Sequence, residues 1–154
     1  MPVSPRREPR MLTPDVNVLI YAHRAESPDH ERYAAWLAGL AQQREAFALS
    51  DVACTGFVRV VTHPRLWRSA TPSPQALEFI ERLRRRRACR LLAASAATWA
   101  TFAQLVAATD ARGKLVADAW LAALAIENGC TLATCDSDFA RFPGLRWVHP
   151  LQPA

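Results

Sequence analysis

Leu12-Thr13-Pro14-Asp15-Val16-Asn17-Val18-Leu19-Ile20-Tyr21 contains two apolar runs that meet at one acid and one amide. Leu12 to Val16 is short and apolar, as a buried strand is. Val18 to Tyr21 continues without a turn signal, so the strand runs directly into a helix, with Asp15 and Asn17 at the junction. Ser27-Pro28-Asp29 interrupts the chain. His30 to Arg44 then carries Tyr33, Trp36, Leu37 and Leu40 at helical spacing. Ala46 to Leu49 reads as a strand, and Ser50 or Asp51 caps a helix that runs through Phe57, Val58 and Val61 until Pro64. Beyond Pro72 and Pro74, Gln75 to Arg87 is amphipathic, with Leu77, Ile80 and Leu83 on one face and arginines on the other. Arg90 to Ala93 is a strand candidate, and Ala97 to Ala108, with Trp99, Phe102 and Val106, is a helix. Val116 to Glu127 is a strongly apolar helix that Gly129 terminates. Thr131 to Thr134 and Leu145 to Val148 close the series as strands. Strands alternating with helices predict an α/β sandwich with a mainly parallel sheet.

The 154 residues make one domain, expected over 11–150, after a loose Pro- and Arg-rich lead over 1–10 in which Met11 is an alternative start. Hydrophobic residues at 51% and charged residues at 21% exclude a wholly disordered chain. No apolar run reaches the roughly 18 residues of a membrane span, and the N-terminus lacks the apolar centre of a secretory signal. Cys54, Cys89, Cys130 and Cys135 form no CxxC, so reduced thiols and a cytoplasmic protein are expected. The net charge of +5 points to an anionic partner. Of 19 basic residues 18 are arginine, which either a GC-rich genome or phosphate recognition explains.

Parallel α/β sheets place their sites at the carboxyl ends of strands. Asp15 closes the first strand, and Asp136 and Asp138 follow Thr131–Thr134. Asp118 stands among apolar neighbours at the start of the long apolar helix. Four of the seven aspartates are in this set. Converging carboxylates repel unless protons or a cation neutralise them. Oxygen donors select a hard ion, Mg²⁺ or Mn²⁺. Such an ion suits phosphoryl chemistry, because it polarises the phosphate and lowers the pKa of a bound water. Taken singly, Asp15 and Asp136 also read as N-caps, Asp118 as a first-turn acid and Asp138 as a turn residue.

Three segments resemble the motifs of PIN-domain ribonucleases. Thr13-Pro14-Asp15-Val16-Asn17-Val18-Leu19-Ile20 is similar to their opening strand and helix. Ala117-Asp118-Ala119-Trp120-Leu121-Ala122-Ala123-Leu124-Ala125 looks like their central acidic helix, and Leu132-Ala133-Thr134-Cys135-Asp136-Ser137-Asp138-Phe139 like their last acidic motif. The closing Arg141-Phe142-Pro143-Gly144-Leu145-Arg146-Trp147 is similar to VapC-type toxins of the mycobacterial branch. The resemblance runs from about Met11 to Leu151. It implies a single PIN-like domain, a three-layer α/β/α sandwich around a mainly parallel sheet of four to five strands. It implies a Mg²⁺- or Mn²⁺-dependent endoribonuclease toxin acting on transfer or ribosomal RNA, homodimeric, and inhibited by a VapB-type antitoxin. By the match, Asp15, Asp118 and Asp136 are metal ligands, Asp138 ligates or supports, and Asn17 and Thr134 are supporting residues, Asn17 by a hydrogen bond to Asp15. One position departs: Gly56, in Cys54-Thr55-Gly56-Phe57-Val58-Arg59, stands where the family carries a glutamate. Asp51 lies five residues earlier, as a replacement or as a helix cap.

Arg112 and Lys114, shortly before Asp118, and more weakly Arg59, are candidates to hold RNA phosphate. The run Arg82, Arg84, Arg85, Arg86, Arg87 and Arg90 is either an RNA-backbone patch or a solvated helix end. Trp67 is the one tryptophan expected to be free for base stacking. A catalytically weak RNA- or antitoxin-binding module is the alternative function. A small-molecule phosphatase is a remote third, since Asp15 lacks the following Asp-x-Thr of its nucleophile motif.

Overall fold

The computed structural model describes residues 10–152, so the expected lead over 1–10 lies, but for Arg10, outside the described residues. The element order is β1 (Leu12–Pro14), α1 (Val16–His23), α2 (His30–Gln42), β2 (Phe47–Leu49), α3 (Asp51–Val61), α4 (Ser73–Arg84), β3 (Cys89–Leu91), α5 (Ala96–Thr109), α6 (Lys114–Glu127), β4 (Thr131–Ala133), a 3₁₀ turn (Ser137–Arg141) and β5 (Trp147–Val148). All strand pairs are parallel: β1–β4–β5 form one ladder and β2–β3 another. β1 and β2 lie side by side, which gives the order 3-2-1-4-5 across the layer.

Alternation along β2 shows why the sheet is sandwiched. Phe47 and Leu49 face a core built from α1, α2, α3 and α4, including Leu19, Leu37, Phe57 and Ile80. Ala48, between them, turns to the opposite face against Ala125 of α6 and Cys130. Leu132 of β4 packs there with Leu105 of α5, Leu121 of α6, Phe139 and Phe142. With helices on both faces, the strands are buried on both sides and read as continuous apolar runs.

Several boundaries differ from the sequence reading. β3 begins at Cys89, because Cys89 pairs with Phe47 in the register of β2. β5 is only Trp147–Val148, paired with Leu132 and Ala133. On α4 the buried face is Ala76, Ile80 and Leu83, while Leu77 is exposed. Ser50, not Asp51, caps α3, by accepting the Ala53 N–H at 3.0 Å. No helix among the described residues is long and apolar enough to cross a membrane.

Candidate active site

Asp15 follows β1 directly and is almost wholly buried. Its backbone N–H donates to Ala133 O at 2.9 Å, which continues the β1–β4 ladder one step past the strands. Its side chain caps α1 by accepting the Val16 N–H at 2.7 Å on Oδ1. The other oxygen, Oδ2, accepts the hydroxyl of Thr134 at 2.8 Å. Thr134 Oγ1 in turn accepts the Asp136 N–H at 3.0 Å, and Asp136 Oδ1 accepts the Asp138 N–H at 2.9 Å. A continuous chain of hydrogen bonds thus fixes Asp15 against the acidic turn after β4. Asp15 and Asp136 are N-caps and members of this cluster at once, because capping engages only one oxygen of each.

Asp118 enters from α6. That helix begins at Lys114, two residues earlier than its apolar pattern suggests, so Asp118 stands one turn in and not in the first turn. The i,i+4 spacing stacks Lys114 beside Asp118. Lys114 Nζ donates to Asp136 Oδ2 at 3.0 Å and lies 3.7 Å from Asp118 Oδ2. One ammonium therefore bridges the acids of α6 and of the turn after β4.

The titration behaviour reports the same convergence. Burial raises the Asp15 carboxyl above its ordinary range, against the Thr134 and Val16 hydrogen bonds, and the Asp136 charge adds to the rise. Burial also raises Asp118, and the charges of Asp15 and Asp136 push it further, against the pull of Lys114. Desolvation works against the Asp136 carboxylate too. The Asp138 N–H and the Lys114 ammonium outweigh it and hold Asp136 below its usual value. Lys114 is raised, first by its hydrogen bond to Asp136 and then by the charges of Asp118, Asp136 and Asp15. Three carboxylates and one ammonium thus interact directly at the carboxyl end of β1 and β4.

Other expected residues stand elsewhere. Asn17 is half-buried on α1 and makes no side-chain hydrogen bond among the described residues. Thr134 and the Val16 N–H orient Asp15 instead. Asp138 contributes its backbone N–H, and its exposed side chain has no ion-pair partner among the described residues. Arg112 pairs on the surface with Asp110, both side chains 83% exposed. Arg59 lines the groove between α3 and α4 with Val58 and Leu77. Asp51 faces outward and pairs with Arg84 at 3.2 Å, so it neither caps α3 nor replaces the missing glutamate. Trp67 is engaged: its indole N–H donates to Val60 O at 2.8 Å, and the Arg24 guanidinium lies 4.4 Å over its ring.

Gly56 packs where α3 crosses α1. A Cβ there would sit 3.0 Å from Cγ2 of Val16, the residue after Asp15. A side chain at this position would require Val16 to shift. The bridging position of Lys114 is not legible in sequence, since it depends on how far α6 extends past its apolar pattern. Tyr21 also carries no signal in sequence, since only the fold brings it within reach of the acids. Burial raises its hydroxyl, and the charges of Asp136 and Asp15 both reach it.

The carboxylates gathered at this edge are oxygen donors, the chemistry of a hard divalent ion. Three carboxylates face a single ammonium, which leaves two negative charges for such an ion to balance. As the side chains stand, no three His, Cys, Asp or Glu among the described residues are close enough to share one ion. Lys114 lies between Asp118 and Asp136, with its side chain 71% exposed. The residues fit the ion in chemistry and charge, and Lys114 now stands where that charge would lie.

The sequence matches the PIN domain family over residues 12–145. It is 43% identical over 141 residues to Ribonuclease VapC43 of Mycobacterium tuberculosis, an alignment covering 92% of this chain and 96% of that protein. Among solved structures, the fold matches VapBC2 from Rickettsia felis, bound to a DNA fragment from their promoter, with a TM-score of 0.67, 19% identity, and coverage of 90% of this chain and 97% of that one. It also matches the sarcin-ricin loop cleaving toxin VapC20 of Mycobacterium tuberculosis, with a TM-score of 0.64, 14% identity, and coverage of 88% and 98%.

Proposed function

Because the chain belongs to the PIN-domain family, among the VapC ribonucleases, we propose that it is a Mg²⁺- or Mn²⁺-dependent endoribonuclease, the toxin of a toxin–antitoxin pair. The observation that carries this reading is the joining of Asp15, Thr134 and Asp136 by hydrogen bonds, with Asp118 brought to the same place through Lys114.

Asp15, Asp118 and Asp136 would hold the ion, whose charge would polarise the phosphodiester and acidify water beside it. Asp15 is immobile, because Val16 and Thr134 each occupy one of its oxygens. It therefore presents its remaining lone pairs at a fixed position. Asp136 is aimed by the Thr134 and Asp138 contacts in the same way. Asp118, with no short hydrogen bond, is the adaptable carboxylate. Lys114, if released from Asp136 and Asp118 by the ion, would offer its ammonium to the phosphate, while Arg112 and Arg59 would give general attraction for the polyanion. Hydrolysis would break the bond from phosphorus to the 3′ oxygen, which takes a proton and leaves a 3′-hydroxyl and a 5′-phosphate.

The names of the sequence relatives support an RNA substrate, for which transfer or ribosomal RNA is our proposal. The match to a VapBC complex supports a VapB-type antitoxin as partner. All four cysteines are unpaired, which suits the cytoplasm. Gly56 favours a second reading, in which a site short of one carboxylate binds RNA or an antitoxin but turns over poorly.

The test is incubation of the full-length protein with structured RNA, with Mn²⁺ or with EDTA, followed by analysis of product ends. Cleavage with Mn²⁺, none with EDTA, and 5′-phosphate ends are expected. Binding without cleavage selects the second reading, and cleavage that survives EDTA overturns the metal-dependent one.

A further inference from the structure

A concavity of about 660 Å³ is lined by Arg44, Arg85, Arg86, Arg87 and Arg90 beside the end of α2. A neighbouring one of about 390 Å³ shares Arg85 and Arg86 and adds Arg82, so the two form one basic groove. Glu78 pairs with Arg82 at 3.2 Å and with Arg85 at 2.9 Å. Arg44, Arg86, Arg87 and Arg90 have no carboxylate partner among the described residues. Two of these are held by backbone carbonyls. Arg86 Nε donates to Ala41 O at 2.9 Å, and Arg90 donates to Arg87 O at 2.9 Å and Cys89 O at 3.2 Å. Their remaining N–H groups are free.

Helix ends explain part of this charge but not all of it. α2 ends at Gln42 and α4 at Arg84, and dipole attraction fades within the last turn. Arg87 and Arg90 lie beyond it. Guanidinium groups gathered in a concavity repel one another unless an anion enters. The lining is arginine, glutamine and alanine with the single leucine Leu83, and it offers no aromatic platform for a base. Such a surface contacts phosphates and reads no sequence.

The groove also lies at the opposite edge of the sheet from the acids. β2 and β3 begin beside it, whereas Asp15 and Asp136 follow the ends of β1 and β4. From strand rise and spacing, the two places are on the order of 15–20 Å apart.

We infer that this groove binds the phosphate backbone of RNA away from the scissile bond, as an anchoring site for long substrates. The inference rests on the ribonuclease reading. Its test is the full-length Arg44→Gln/Arg87→Gln variant, since neither side chain makes a hydrogen bond or ion pair among the described residues. Binding of a structured RNA is measured in EDTA across a salt series, and cleavage with Mn²⁺ at about 100 mM salt. The variant should bind about 10-fold more weakly, with the slope of log K against log salt shallower by about 1.5. KM should rise while kcat stays within about twofold. Unchanged affinity and slope overturn the inference. So does equal competition by inorganic phosphate at matched phosphate concentration, which would mark a site for a single phosphate and not for a polyanion backbone. Arginine-dependent binding by a wild-type protein that cuts no RNA supports the groove and sinks the ribonuclease reading. Cleaving protein whose variant binds RNA as before sinks the groove alone.

Discussion

Asp118→Asn is expected to lower RNA cleavage by at least about 10³-fold, about 4 kcal/mol of transition-state stabilisation, without unfolding the protein. Asparagine has nearly the shape of aspartate but carries no charge to hold a cation. The fold should gain slightly. Asp118 is desolvated, is repelled by Asp15 and Asp136, and has only a 3.7 Å contact with Lys114 in return. Removing that charge should leave stability equal or up to about 1 kcal/mol higher, a rise in Tm of up to about 2–4 °C for a chain of this size. The pH dependence gives the sign independently. Asp15 and Asp118 have raised folded-state values, so without metal the unfolded chain loses these protons first. Stability then falls as pH rises from the ordinary carboxylate range through the raised values. Asp118→Asn removes one of the two contributions and flattens this fall. Thermal melts in EDTA at a series of pH values check it, and a variant that loses activity by unfolding contradicts it.

Thr134→Val should be the most damaging change that leaves every carboxylate in place. Valine keeps the shape and removes the hydroxyl that donates to Asp15 and accepts from the Asp136 N–H. A buried carboxylate oxygen and a backbone N–H then lose their partner together, a loss of about 2–4 kcal/mol. Asp15 also loses the strongest influence that opposes its raised pKa. The acid limb of the rate profile should therefore move to higher pH, and activity should fall about 10- to 100-fold, as for other residues that orient metal ligands. Thr134→Ser keeps the hydroxyl and should restore both stability and the position of the limb. Chemical denaturation and pH–rate profiles of the two variants separate this role from a packing role, which serine would not rescue.

The alternation of elements was legible because buried parallel strands leave short apolar runs and helices leave a 3.6-residue pattern. Asp15 and Asp136 were legible as candidates because each follows an apolar strand, and Asp118 because it is a lone acid within an apolar helix. What escaped notice depended on register and reach. β3 starts at Cys89 because β2 sets its pairing, which no local pattern reveals. Leu77 looks like a core residue by spacing, but α4 packs on α3 through the neighbouring Ala76 and Ile80. Asn17 and Thr134 each have a side chain able to hydrogen-bond Asp15. Only the parallel pairing of β1 with β4 brings Thr134 the nearer of the two. Asp51 was ambiguous in sequence because the Arg84 that holds it is distant in the chain.

The central claim, that Asp15, Asp118 and Asp136 together hold one divalent ion, is tested most directly by Mn²⁺ titration of the full-length protein, read by electron paramagnetic resonance of the free ion. The account predicts one ion bound by the wild-type chain and an affinity at least about 10²-fold lower in Asp118→Asn. Equal binding by the two proteins would contradict it.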